Sequence, residues 1–331
     1  MADPPAAAQP GQDGRAELHV HLYGAIPPAT LLELARRNRV TLPATTPEGL
    51  REWLRFRDFA HFQEAMHAVG ACVAGVEDVE LVAREFAREL RGQDVRYAEV
   101  MLAPGEMERN RGMRPPQVLD ALGRARAWAA AELGLELRWI LELERTLPPG
   151  RERAYWADQT TEAAIAGRDA GVVALGLSGS EAGWPPEPFA PWFERALGAG
   201  LHSAPHAGEH AGPESVWGAI RALGAERIAH GVRAIEDPAL VAHLAERRIA
   251  LDVCPTSNVR LGVFPSLAAH PLRRLHEAGV PVTVNSDDPT MFGVTLGQEI
   301  AALTASHGLS EATASEIVQN GFRYGFEAGR P

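Results

Sequence analysis

The sequence has 331 residues, 46% of them hydrophobic, and a formal net charge of −11. That length admits an α/β barrel with a large core in one domain, and the negative balance excludes a general nucleic-acid binder, because phosphate backbones are repelled. The two cysteines, Cys72 and Cys254, exclude a disulfide scaffold and suit a reducing cytoplasm, and no apolar run is long enough to span a membrane.

Residues 1–15 are rich in Ala, Pro, Gln and Gly and lack the basic start and apolar stretch of a signal peptide. They read as a disordered tail ahead of a single domain over 16–331. A first strand is predicted over 17–22. The segment 26–93 that follows looks wholly helical, with Phe56, Phe59, Phe62, Met66 and Val69 set among polar residues. It reads as a helical insertion, placed either over a barrel mouth or against the barrel side. Further strands are predicted over 95–102, 135–143, 171–177, 201–206, 227–230, 248–254 and 280–285. Helical spacing fills the stretches 76–91, 116–133, 153–170, 214–223 and 238–247, the last opened by Asp237-Pro238. Eight strands with helices between them predict an α/β fold of the (β/α)₈ barrel type. An open doubly wound sheet is the alternative, but no strand here feeds a GxGxxG loop.

The candidate functional residues fall at the ends of these strands, where barrel enzymes carry their sites. His19 and His21 are two apart in the first strand, so both project to one face, and two imidazoles on one face can hold a metal ion. His206 ends the fifth strand. Gly208 lets the chain turn there and sets Glu209 beside the pocket, with a solvated loop carboxylate as the alternative reading. His202 lies deeper in the barrel, and His210 reads as an exposed loop residue. His230 ends the sixth strand, and Asp287-Asp288 follow the eighth. Adjacent buried carboxylates need a cation or strong donors to stay ionised. Strands one and eight are neighbours in a closed barrel, so three histidines and one aspartate can converge. Such a shell suits Zn²⁺, with Fe²⁺ and Mn²⁺ as alternatives.

With these residues the chain resembles the adenosine and adenine deaminases of the amidohydrolase superfamily. The matching stretches are ELHVHLYGAI (17–26), LGLSGSE (175–181), PHAGEH (205–210), RIAHGVRAIEDP (227–238), CPTSN (254–258) and VTVNSDDP (282–289). The resemblance implies that His19, His21, His206 and Asp287 hold one Zn²⁺ per chain. It implies Glu209 as the acid that protonates purine N1 and His230 as the residue that orients and helps activate the attacking water. Asp288 matches the contact to N7, and Gly179 matches the glycine whose backbone N–H meets N3. Metal-bound water reaches a pKa of about 7, which supplies hydroxide for attack at C6. Asp287 and His230 hold that oxygen in line, and ammonia leaves. Glu209 must be protonated for its part, and burial beside an apolar ring is expected to raise its pKa.

Two positions depart from the family. Tyr23 stands where the adenosine branch carries Asp and the adenine branch Glu, and Ser180 replaces an acidic residue common before Glu181. Adenosine or an adenosine-like nucleoside is the first expectation for the substrate. The alternatives are adenine and 6-aminodeoxyfutalosine of the futalosine route to menaquinone, whose nucleoside extends the ribose end. Tyr23 is the expected substrate contact at that end. A non-catalytic binding barrel would lack one of the six site residues, and none is missing. Two-metal relatives use a bridging lysine, and every basic residue here is arginine. A cytidine-deaminase zinc site needs a CxxC that Cys254 does not form. The only partner expected is a small purine; the oligomeric state is open.

Overall fold

The structure is a computed structural model that describes residues 14–56 and 59–326. The expected tail lies outside the described residues except for Gly14 and Arg15, and Arg15 already begins the first strand. The strands are β1 (Arg15–His21), β2 (Val95–Leu102), β3 (Glu136–Glu144), β4 (Val172–Ser178), β5 (His202–Ser203), β6 (His206–Ala207), β7 (Arg227–His230), β8 (Ala250–Val253) and β9 (Val282–Val284). All pair in parallel, as β1-β2-β3-β4-β5 and as β6-β7-β8-β9.

Two seams join these sheets into the (β/α)₈ barrel. At one, β5 and β6 are halves of a single strand broken at Pro205, which has no N–H to give to a ladder. The chain stays paired across the break. Ala204 N–H donates to Leu175 O at 3.0 Å, and Pro205 O accepts from Ala229 N–H at 3.0 Å. At the other seam His21 N–H donates to Asp287 O (2.8 Å) and Asp287 N–H donates to His19 O (3.1 Å). Nine assigned strands therefore make eight staves, and closure itself fixes Asp287 beside the two histidines of β1.

Alternation sends every second residue inward and builds the lumen in layers. At the bottom, Arg227 is buried between Asp252 and Glu99. Phe326 packs its ring 4.2 Å from that guanidinium, and its N–H donates to Glu99 at 2.6 Å, so the last described turn seals this end. His202 stacks on Phe326 at 4.3 Å, which places it in the seal as expected of a deep residue. Above lies an apolar layer of Met101, Ile140, Ala174, Ala204 and Ala229. A larger apolar shell fills the space between strands and helices.

The segment after β1 forms α1 (Pro28–Asn38), α2 (Pro47–Trp53), α3 (Phe59–Cys72) and α4 (Val76–Gly92). α4 packs on β2 and on the helix Pro115–Leu133, in the manner of an ordinary outer-ring helix. α1 to α3 are the added part. Phe56 and Phe62 reach Phe292, which follows the strand-nine exit, with ring centroids 5.7 and 5.8 Å away. The insertion thus comes over the mouth on that side; the side chain of Phe59 lies outside the described residues. Among the described residues no helix is long and apolar enough to cross a membrane.

Candidate active site

Three imidazoles meet at the upper end of the lumen. Each turns Nδ1 to an acceptor. His19 Nδ1 is 3.2 Å from Asp252 O, His21 Nδ1 is 3.2 Å from Glu142 Oε2, and His206 Nδ1 is 3.2 Å from Glu142 Oε1. With the proton of each neutral ring on Nδ1, each Nε2 would keep a lone pair, and these nitrogens face one another. His21 Nε2 is 3.3 Å from His206 Nε2, and Asp287 Oδ1 is 3.4 Å from the Nε2 atoms of His19 and His21. His19 Nε2 is buried and has no hydrogen-bond partner. Lone pairs crowded together at a largely buried site favour a cation. The donor set, three neutral nitrogens and one carboxylate oxygen, fits a tetrahedral metal such as Zn²⁺. The field agrees. Burial opposes a charge on His21, yet Glu142, Asp288 and Asp287 outweigh it and push its pKa up to about 10. These carboxylates thus favour a positive charge here, carried by a proton without an ion and by the metal in its place.

Asp287 and Asp288 take different forms. Burial raises Asp287, but the neighbouring histidines prevail and hold it well below the carboxylate range. Its Oδ2 accepts from Ser257 Oγ at 2.6 Å. For Asp288, burial and then the charge of Asp287 push the pKa up to about 7, and its Oδ1 has no partner. Gly24 faces this carboxyl so closely that a Cβ there would fall 1.7 Å from Asp288 Oδ1.

Glu209 lies across the site. Its Oε2 is 3.6 Å from His230 Nε2 and 3.1 Å from His210 Nδ1. Burial raises its pKa, but His230 and the His210 contact outweigh burial and leave it lowered. The expectation of a raised pKa concerns Glu209 buried beside the ring of a bound purine. His210 is exposed on the loop, yet its ring reaches the carboxylate. His230 is held neutral by burial, which brings its pKa down to about 3 against the pull of Glu209. His230 and Asp287 both adopt left-handed backbone (φ 64° and 63°), which turns their side chains inward at the strand ends.

The structure therefore brings together His19, His21, His206, Glu209, His230, Asp287 and Asp288. Gly179 sits at the β4 exit with φ 98°, against Arg145 and Thr146. Tyr23 is partly buried, its ring facing Gly70 of α3.

Four supporting residues had no assigned role in the sequence. Glu142 bridges two histidines. Its sequence signal is a carboxylate at an inward position of the apolar strand LRWILELE. Glu181 accepts the backbone N–H groups of Glu209 (3.0 Å), His210 (2.9 Å) and Ala211 (2.7 Å), so it shapes the loop that carries Glu209. Asn258 donates to Glu209 Oε1 at 3.2 Å. His270 touches Asn258 from a loop twelve residues on, and nothing in its local sequence marks it.

A parallel barrel with titratable groups around a cation-ready cluster at the C-terminal strand ends defines a metal-dependent hydrolase. Residues 14–328 match the adenosine deaminase family, and the chain belongs to it. It is an amidohydrolase acting on cyclic amidine C–N bonds. An aminodeoxyfutalosine deaminase of Streptomyces coelicolor is 43% identical over 314 residues, 94% of this chain and 80% of that one. An adenine deaminase of Cupriavidus necator is 39% identical over 324 residues, 98% of this chain and 90% of the other. The crystal structure of an adenine deaminase from Arthrobacter aurescens superposes with a TM-score of 0.86 at 31% identity, covering 95% of this chain and 94% of that one. The names of these relatives give the two alternative substrates, aminodeoxyfutalosine and adenine, rather than the adenosine or adenosine-like nucleoside expected first.

Proposed function

We propose that this chain hydrolytically deaminates an aminodeoxyfutalosine-type nucleoside, with one Zn²⁺ held by His19, His21, His206 and Asp287. The observation that carries the chemistry is the convergence of the Nε2 atoms of His19, His21 and His206 with Asp287 Oδ1 in one site. Zn²⁺ bound there lowers the pKa of its water to about 7. The chain's residues do the rest. Glu209 faces N1 and passes it a proton as C6 becomes tetrahedral. It takes up that proton from solvent as the substrate binds, because the N1 lone pair entering beside it favours the protonated form. His230 and Asp287 orient the attacking oxygen. Asp288, with its unpartnered Oδ1, meets N7, and the Gly179 N–H meets N3.

Glu142 fixes two of the three imidazoles. Glu142→Gln is expected to weaken metal affinity about 10–100-fold, the usual loss for an outer partner of ligating histidines. Competition with a coloured chelator reads it. Unchanged affinity would show that Glu142 does not orient the ligands.

The extended nucleoside is favoured by the 43% identical relative and by Tyr23. A tyrosine cannot accept two ribose hydrogen bonds as a carboxylate can, and it offers an apolar face instead. Its placement between the site strand and α3 suits contact with the far end of such a substrate. Adenine is the second reading, supported by the 39% identical relative over nearly the whole chain. Initial rates on aminodeoxyfutalosine, adenine and adenosine test the choice. The expected order puts aminodeoxyfutalosine first; adenine first would select the second reading. Tyr23→Asp is then expected to shift the kcat/KM ratio toward adenosine by about 10-fold or more, the scale of one lost and one gained contact. An unchanged ratio would confine Tyr23 to packing on α3.

A further inference from the structure

We infer that His270 and Asn258 form a one-way hydrogen-bond chain that fixes His230 as the tautomer protonated on Nε2, and that both are positioning residues for deamination. This rests on the proposed role of His230 in orienting the attacking oxygen.

The chain starts at a group with no choice of direction. Leu272 opens the helix Leu272–Glu277, and its backbone N–H donates to His270 Nδ1 at 3.2 Å. An amide N–H only donates, so His270 Nδ1 carries a lone pair and the proton of the neutral ring is on Nε2. That Nε2–H lies 3.1 Å from Asn258 Oδ1 and donates to it. The side-chain amide of Asn258 is thereby oriented. Its Nδ2 has two protons and two neighbours, Glu209 Oε1 at 3.2 Å and His230 Nδ1 at 3.2 Å. Reversing the amide would set Oδ1 against the Glu209 carboxylate and Nδ2 against the His270 N–H, two repulsive contacts in one flip. His230 Nδ1 must accept, so its proton sits on Nε2. His270, Asn258 and His230 are 4%, 0% and 2% exposed, so bulk water has no access through which to exchange these roles.

The Nε2–H of His230 points to the space shared by Glu209 Oε2 (3.6 Å) and Asp287 Oδ2 (3.8 Å). There it can donate to an oxygen poised for attack. The other tautomer would turn a lone pair toward two carboxylates and toward the attacking oxygen's own lone pairs. Asn258 also ties the acid to the orienting imidazole, since one amide group contacts both.

The experiment is ¹⁵N spectroscopy of histidine-labelled, zinc-loaded protein, with the His230 signals assigned from their loss in His230→Gln. The expected spectrum shows Nδ1 in the unprotonated range and Nε2 in the protonated range. The reverse pattern overturns the inference, and this reading needs no variant of His270 to fold. In His270→Leu, kcat is expected to fall on the order of tenfold or more with KM and metal content little changed, as His230 begins to sample the wrong tautomer. His270→Gln keeps an N–H donor at the Nε2 position and should restore most of kcat. Full kcat in the Leu variant, or a Gln variant as slow as the Leu variant, contradicts the chain. The tautomer is read without substrate, so failure to deaminate any aminopurine would count against the proposed reaction and leave this result standing.

Discussion

Glu209→Gln is expected to keep its metal and its fold and to lose at least about 100-fold in turnover, the scale of a missing general acid. The structure makes the test clean. Glu209 Oε2 lies against His230 and His210 rather than against the converging Nε2 atoms. The loop that presents it is held by Glu181 through three backbone N–H groups, none of which a Gln side chain disturbs. An amide at this place can still touch N1 but has no proton of comparable acidity to give. Turnover is measured with metal content on the same sample. Loss of metal in the variant would make Glu209 a ligand and overturn the division of roles.

Asp287→Asn is expected to cost more, on the order of 10³ or beyond in turnover, together with most of the bound metal. Losing a Lewis-acid centre removes several kcal/mol of transition-state stabilisation, and about 4 kcal/mol is already a thousandfold. The substitution leaves the fold alone for a local reason. Asp287 has φ 63°, a left-handed conformation that Asn tolerates, and its backbone closes the barrel through His19 and His21. Only the charge is removed from the cluster. Elemental analysis and a melting curve check both halves of the expectation. A variant that retains full metal and rate would exclude Asp287 from the cluster's work.

Much of this was legible before the structure, and the reasons can be named. His19 and His21 obey a period of two inside an apolar strand, so their shared direction was readable. The barrel followed from strands alternating with helices. Pro205 hid the true form of the fifth strand, because a residue without an N–H breaks the ladder while the chain continues straight. α4 was merged with the insertion because its periodicity resembles that of α1 to α3; only its packing on the helix Pro115–Leu133 separates it. The contact of His210 with Glu209 was not readable, because burial is visible in a pattern and the reach of an exposed loop ring is not. His270 was out of reach altogether. It is brought to Asn258 by a loop whose path no local pattern encodes.

The most direct test is a zinc titration of metal-depleted protein, following ammonia release from aminodeoxyfutalosine. One site built from His19, His21, His206 and Asp287 requires activity to rise linearly and break at one zinc per chain. A break at two, or turnover by the depleted protein before any zinc is added, would contradict it.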